Sequence, residues 1–412
     1  MELTALLAEI GTRGVHDPTI IPDSRGYTMF STDTMIDGQP TQGIQRRHSP
    51  DLIHWHYQDQ ALSGVPADAK DWSQAQGLWA PEVVSGRNEY RLYYAASTFG
   101  SRRSAIGLAT AADLDAPFIP QGLVLTTEGG QDQRNALDPN VIQDGKRQWL
   151  CYGSFFAGIY LAELDPATGM LKKPDDPGVR IAARPRALNN GSIEGPFIYH
   201  SPLTGEYYLF VSYDSLAYSY NIRVGRAKQI TGPYRDFQGH NLIADDPLTA
   251  DQVGTKILGS RHFAGESAQL LAPGHCSVLD VGPKQYLVYH NRAVAGGPSF
   301  GLVSQLHWTV DGWPVVSPEP VYGAACSISV AQQSVVGDWD VVSLTASTDP
   351  IESQRVTLTA ADVEQVGPEQ FVLVGVGHVN VWQEYDWAID QPRVVFSGIT
   401  PQGWGVLGKK AG

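Results

Sequence analysis

An all-β chain, folded as a five-bladed β-propeller followed by a small C-terminal β-barrel or sandwich, is what three features of this sequence predict. Helical periodicity is hard to find, whereas short aromatic-rich runs bounded by Gly, Pro, Asp and Asn recur along most of its 412 residues. Gly (43) and Pro (27) are abundant, and only 17% of residues are charged, a composition suited to many strands and tight turns. Five of the aromatic runs also look alike. They are GYTMFST from Gly26, EYRLYYAAST from Glu89, RQWLCYGSFF from Arg147, EYYLFVSYD from Glu206 and QYLVYHNR from Gln285.

Each aromatic run follows a second short apolar element. These partners are HDPTII from His16, APEVV from Ala80, LDPNVI from Leu137, IEGPFIY from Ile193 and GHCSVLD from Gly274. The unit is therefore a polar residue, an apolar strand, a turn and an aromatic strand. All-β repeats roughly 55 to 80 residues apart read as propeller blades. RRHSPDLIHW, SAIGLATAADLDAPF and IRVGRAKQITGPY supply outer strands for three of them. The pattern stops at WPVVSPEP, whose three prolines suggest a boundary. Residues 1–320 form the propeller in this reading. Residues 325–412, with alternating runs such as QRVTLTA and VNVWQEYDW, form the second β domain. Trp382, Tyr385 and Trp387 in that domain read as packing residues.

Charge and cysteine content narrow the function. A net charge of −14 without basic clusters argues against nucleic acid as a partner. No apolar run approaches the length of a membrane span, so no membrane partner is expected. Cys151, Cys276 and Cys326 lie far apart with no metal-ligand or disulfide spacing, and the first residues lack a basic leader pattern. The expectation from these is a reducing, cytoplasmic compartment.

The innermost strand of a blade lines the central channel, so residues leading those strands converge near the axis. The leading residues are Asp17, Glu82, Asp138, Glu194 and His275. Two carboxyl groups facing each other across a sugar are the minimum for glycoside hydrolysis: one gives a proton to the leaving oxygen, the other activates water or attacks. Glu194, between apolar neighbours in SIEGPF, is the candidate acid. Asp17, beside His16, is the candidate base. Asp138 is a third carboxylate able to hold the acid's pKa up, because like charges in a confined site resist joint ionisation. Glu82 reads as a structural turn or a hydroxyl contact. Trp79 and Phe156, or its neighbour Phe155, are candidate sugar platforms. His16, Asn140 and Ser154 are candidate hydroxyl contacts.

At these residues the chain resembles the family 43 glycoside hydrolases, in particular their endo-1,5-α-L-arabinanases. The resemblance rests on an ordered set: VHDPTII, LWAPEVV, YYAASTFGSRRSAIGLAT, NALDPNVI, YGSFFAGIYLAELDPATG, SIEGPFIY, VGRAKQITGPY, GHCSV and DGWPVV. It implies an inverting hydrolase of α-1,5-linked arabinan or arabino-oligosaccharides, with Asp17 as base, Glu194 as acid and Asp138 as pKa modulator. It also implies a hydrated cation, usually calcium, in the central channel near His275. Exo-acting arabinofuranosidase or β-xylosidase action on the same fold, and a non-catalytic sugar-binding propeller, are the competing expectations. Cys276 stands where the family usually has Asn, and Phe156 where it commonly has Trp.

Overall fold

The computed structural model describes residues 1–131, 133–174, 176–323 and 328–412; Cys326 and the start of the expected second domain at 325 lie outside them. Five four-stranded antiparallel meanders follow one another along the chain. Their innermost strands are Thr19–Asp23, Trp79–Ser85, Asn140–Asp144, Ile193–His200 and Leu271–Val281. Each of these packs beside the innermost strands of its two neighbours, so the ring closes. The aromatic runs are the second strands, at Gly26–Ser31, Tyr90–Ala96, Arg147–Tyr152, Tyr207–Tyr213 and Lys284–Arg292. Blade 5 ends with Pro314–Val316, inside the proline-rich stretch that the sequence marks as a boundary. The amino-terminal segment latches the ring: Gly14 N–H donates to the Ser299 carbonyl and Gly301 N–H to the Thr12 carbonyl.

Two short helices escape the repeat pattern. Leu3–Ile10 carries Leu3, Leu6, Leu7 and Ile10 on one buried face, the i, i+3, i+4, i+7 spacing of an amphipathic helix. It is too short to stand out from the surrounding strand signals. Ala67–Ser73 packs on the second blade. No helix among the described residues is long and apolar enough to cross a membrane.

The carboxyl-terminal region is one curled sheet of seven strands in the order 354–358, 337–343, 405–410, 391–399, 377–386, 370–373, 363–365, with Ile328–Ser329 as an eighth strand paired to 377–386. It does not hang from the propeller on a linker. Val342, Leu344, Trp387, Ile399 and Leu407 belong to the same apolar cluster as Phe263, Trp313 and Val315 of the propeller and Leu6 of the first helix. Trp382 and Trp387 are fully buried, as packing residues should be. Inside this seam sits a buried ionic group. Lys409 Nζ lies 2.7 Å from Glu266 Oε1, beside Glu319, and 3.7 Å from Asp386 Oδ2. One ammonium thus faces three carboxyls from both domains, away from water.

Removing Lys409 leaves the buried Glu266 and Glu319 without a charge partner, while Asp386 keeps Arg393 Nη1 at 2.9 Å. Lys409→Met is expected to cost about 3–5 kcal/mol in urea unfolding. Burial pushes Glu319 up to about 8, although Lys409 opposes the shift. The folded chain therefore keeps a proton that the unfolded chain releases near the ordinary value of 4.5. Stability present in mild acid should fall as the pH rises through 8, and the melting temperature of Glu319→Gln should depend less steeply on pH.

Candidate active site

Backbone geometry aims the side chains at the channel. Each blade has a residue with a left-handed backbone within or just before its innermost strand, namely Asp17 (φ 48°), Ala80 (φ 42°), Asp138 (φ 58°), Gly195 (φ 56°) and His275 (φ 44°), and blade 5 has a second, Ala272 (φ 48°). In blades 2, 4 and 5 the strand register slips at this point, the signature of a bulge that redirects a side chain. Proline follows in four of them, as Pro18, Pro81, Pro139 and Pro196; Cys276 takes that place in the fifth. Such conformations cost roughly 1–3 kcal/mol at non-glycine positions and cluster at active sites.

This equivalence revises the repeat alignment. Glu82 and Glu194 do not lead their strands in the way Asp17 and Asp138 do. Ala80 and Gly195 hold those positions. Glu194 stands one residue earlier, level with His16 in blade 1 and Trp79 in blade 2. Glu82 stands two residues later, level with Thr19 and Asn140. That displacement gives it a different task. Thr19 Oγ1 donates to Glu82 Oε2 at 3.0 Å and Asn140 Nδ2 to Glu82 Oε1 at 2.9 Å. Asn140 Oδ1 accepts from Ile198 N–H at 2.9 Å. Glu82 and Asn140 thus clasp four blades around the channel. Asn140 gives one amide proton and its carbonyl oxygen to other blades and is buried, so it serves interblade bonding rather than the expected hydroxyl contact.

Asp17 is the ionised member of the site. Its Oδ1 lies 3.1 Å from His275 Nδ1, 3.5 Å from His290 Nδ1 and 3.6 Å from His16 Nε2. Its Oδ2 accepts from Thr32 Oγ1 at 2.6 Å. Burial alone would push this carboxyl up, but the imidazoles of His16, His275 and His290 together hold it well below the usual range. The His275 imidazole moves the other way. Burial lowers its pKa, yet Asp17, Asp138 and Glu194 outweigh burial and raise it to about 9.

Glu194 is the protonated member. Burial, and then the charge of Asp138, push it up to about 7. Ser154 Oγ holds its Oε2 at 2.6 Å and Tyr220 OH its Oε1 at 2.6 Å. Ser154 is therefore a support for Glu194 rather than a free rim hydroxyl. Asp138 is raised to about 6, by burial first and the Asp17 charge next, with His275 opposing. Its Oδ2 accepts the Gly195 N–H at 3.0 Å, which ties it to the backbone beside Glu194. Two carboxyls driven in opposite directions by their surroundings make an acid and base pair.

Tyr220, Thr32 and His290 escaped the sequence reading. Tyr220 lies in the loop after the second strand of blade 4, its ring stacked over His290 with centroids 5.7 Å apart. A Cβ on Gly274 would come within 1.8 Å of that ring, so glycine at 274 makes room for it. A hydroxyl aromatic in a strand-end loop carries no motif, and only the facing glycine hints at its place. Trp79 is half-buried at the channel mouth. Phe155 and Phe156 take consecutive left-handed conformations (φ 58° and 48°), and the Arg102 guanidinium lies over the Phe156 ring at 5.3 Å. Cys276 is buried in the apolar cluster shared with the carboxyl-terminal sheet.

The sequence profile of the family described as "Glycosyl hydrolases family 43" matches residues 10–314. The chain belongs to this family. It is 33% identical over 372 residues to an extracellular endo-α-(1→5)-L-arabinanase of Thermotoga petrophila, covering 80% of this chain and 75% of the relative. It is 32% identical over 331 residues to an extracellular exo-α-(1→5)-L-arabinofuranosidase of Cellvibrio japonicus, covering 73% and 86%. The crystal structure of an endo-1,5-α-L-arabinanase from Thermotoga petrophila superposes with a TM-score of 0.85 at 27% identity, over 97% of this chain and 99% of that one. The family 43 chain described here is thus an arabinanase-type glycoside hydrolase.

These relatives overturn the cytoplasmic expectation, since both sequence relatives are named extracellular and point to a secreted protein. The cysteine argument fails for a physical reason. Cys151 and Cys276 are buried free thiols, with burial pushing both up. Thiols that neither ionise nor meet solvent are inert in an oxidising compartment too.

Removing the Tyr220 hydroxyl takes away a bond that favours the ionised form of Glu194. Tyr220→Phe is expected to move the alkaline limb of the kcat/KM profile upward by roughly one pH unit. The acid limb, set by Asp17, should stay in place.

Proposed function

We propose that this family 43 hydrolase cleaves internal α-1,5-L-arabinofuranosidic bonds of linear arabinan with inversion at the anomeric carbon. The observation that carries the reading is the pair of opposed carboxyls, Asp17 held ionised and Glu194 held protonated. The endo preference is supported by the likeness to the Thermotoga petrophila endo-enzyme, which extends over 97% of this chain and so includes the carboxyl-terminal sheet.

In this mechanism Glu194 gives its proton to the departing glycosidic oxygen as the bond to the anomeric carbon breaks. Asp17 takes a proton from a water that attacks that carbon from the opposite face of the ring. Asp138 keeps the Glu194 proton in place by its charge and, through Gly195, fixes the backbone beside it. The imidazoles around Asp17 keep it ionised, and Thr32 leaves its Oδ1 as the oxygen facing them. Trp79 and Phe156 are the sugar-stacking faces, and His16 is a hydroxyl contact.

The hydrated cation belongs to the same proposal. A calcium ion takes six to eight oxygen ligands. Glu194 has both oxygens engaged, Asp138 Oδ2 and Asp17 Oδ2 are each taken by a protein donor, and His16, Asp17 and His290 form a nitrogen-rich cluster. The donors fit an ion that keeps a mostly aqueous shell, with His275 Nε2 as its protein ligand once the imidazole gives up the proton that the carboxyls favour, because Nδ1 is turned to Asp17. Such an ion would supply positive charge to the site when bound. Treatment with EDTA followed by calcium should lower and then restore both activity and melting temperature.

Glu194→Gln and Asp17→Asn should each lower kcat on linear arabinan by roughly 10²–10⁴-fold without unfolding the chain. Wild-type activity should fall above about pH 7 as Glu194 loses its proton. Proton NMR of the first products should show the β-anomer, and chromatography should show short oligosaccharides. Exclusive release of arabinose would instead establish exo action, the reading that the Cellvibrio japonicus relative favours. First-formed α-anomer would refute inversion.

A further inference from the structure

Across the propeller from the catalytic residues lies a groove of ≈ 480 Å³ between blade 5 and the carboxyl-terminal sheet. The innermost strand of blade 5, Leu271–Val281, carries His275 at the candidate active site and runs on to Val281, beside the Pro283 and Lys284 that border this groove. The site described above and the groove are therefore at opposite ends of the same blade. We propose that the groove is a second, non-catalytic binding site for an uncharged saccharide chain.

Its lining has the chemistry such a ligand needs. Trp308 gives a partly exposed aromatic surface. Its ring is fixed by the Nε1 bond to Gln285 Oε1 at 3.2 Å and by Tyr199 and Tyr208, with centroids 6.0 and 5.0 Å away. Gln305, Gln370 and Asn380 contribute amides, which both donate and accept, as hydroxyls require. Lys284 and Glu369 carry one charge each and cancel. His307, which burial pushes below its ordinary value, adds none. The volume falls within the ~300–1,000 Å³ of small-ligand sites.

Two orphaned atoms point to a ligand. His307 and Asn380 are 6% and 5% exposed, and both line the groove. Asn380 Nδ2 donates to the Trp308 carbonyl at 3.1 Å, which leaves Oδ1 without a partner among the described residues. His307 stacks on Trp382 with centroids 3.7 Å apart, turns Nδ1 toward Glu369 at 3.8 Å, and leaves Nε2 equally unpartnered. Asn380 Oδ1 and His307 Nε2 are sealed beneath the groove lining, where a sugar hydroxyl reaches them once their side chains turn toward it. Buried polar atoms of this kind carry a desolvation cost that a bound hydroxyl would relieve. That the saccharide is arabinan rests on the proposed activity; the site itself does not.

Affinity electrophoresis of the full chain tests both parts, with Glu194→Gln in the background to suppress digestion. Gels containing linear 1,5-α-arabinan, xylan or β-glucan are run in parallel. The expected result is retardation by arabinan that weakens at least fivefold when Gln305→Ala and Gln370→Ala are added. With Glu194 intact, the same double variant should hydrolyse arabinotriose at an unchanged rate while its KM for the polymer rises. Glutamine-dependent retardation by xylan or β-glucan alone would uphold the site and overturn its arabinan assignment. Retardation unaffected by the two substitutions, or seen in no gel, would overturn the site and leave the catalytic reading standing.

Discussion

The candidate active site depends on one backbone constraint repeated in all five blades. At the mouth of the channel a residue within or just before each innermost strand takes the left-handed region, and that reversal turns side chains inward. Asp17, Asp138 and His275 occupy the constrained positions themselves. Glu194 and Trp79 occupy the position just before, and so reach the channel from the next step of the chain. Two layers of functional groups follow from one local geometry.

Electrostatics then separates groups that are chemically alike. Asp17 and Glu194 are both buried carboxyls. Asp17 has three imidazoles within reach, whereas Glu194 has two neutral hydroxyls and the negative charge of Asp138. The same desolvation therefore ends in an ion at one and an acid at the other. Glu82, equally buried, takes no part in this division. Its oxygens accept from Thr19 and Asn140, and it serves as an interblade clasp.

The carboxyl-terminal sheet is part of the same packed body. Its apolar residues complete a cluster begun by the first helix and by blades 4 and 5, and Lys409 carries charge across the seam to Glu266 and Glu319. This union also creates the groove at the far end of the propeller, since neither the Trp308 edge nor the Gln370 and Asn380 edge encloses it alone.

Much of this was legible in the chain. The alternation of short apolar and aromatic runs determined five blades, because a strand needs only local pattern and a turn to declare itself. Asp17, Asp138, Glu194 and His275 were legible because they recur next to the strands that line the axis. Tertiary structure alone decided the rest. It exposed the true equivalence of Ala80 and Gly195 with the two aspartates, which rests on backbone angle and is marked in the chain only by the proline that follows each of the four. It turned Asn140 and Ser154 from rim contacts into supports, because their partners come from other blades. It brought in Tyr220, Thr32 and His290, and it buried Cys151 and Cys276, two of the cysteines whose usage had suggested another compartment. Sequence patterns report what a residue is beside along the chain; protonation state and bonding depend on what other blades bring within a few ångströms.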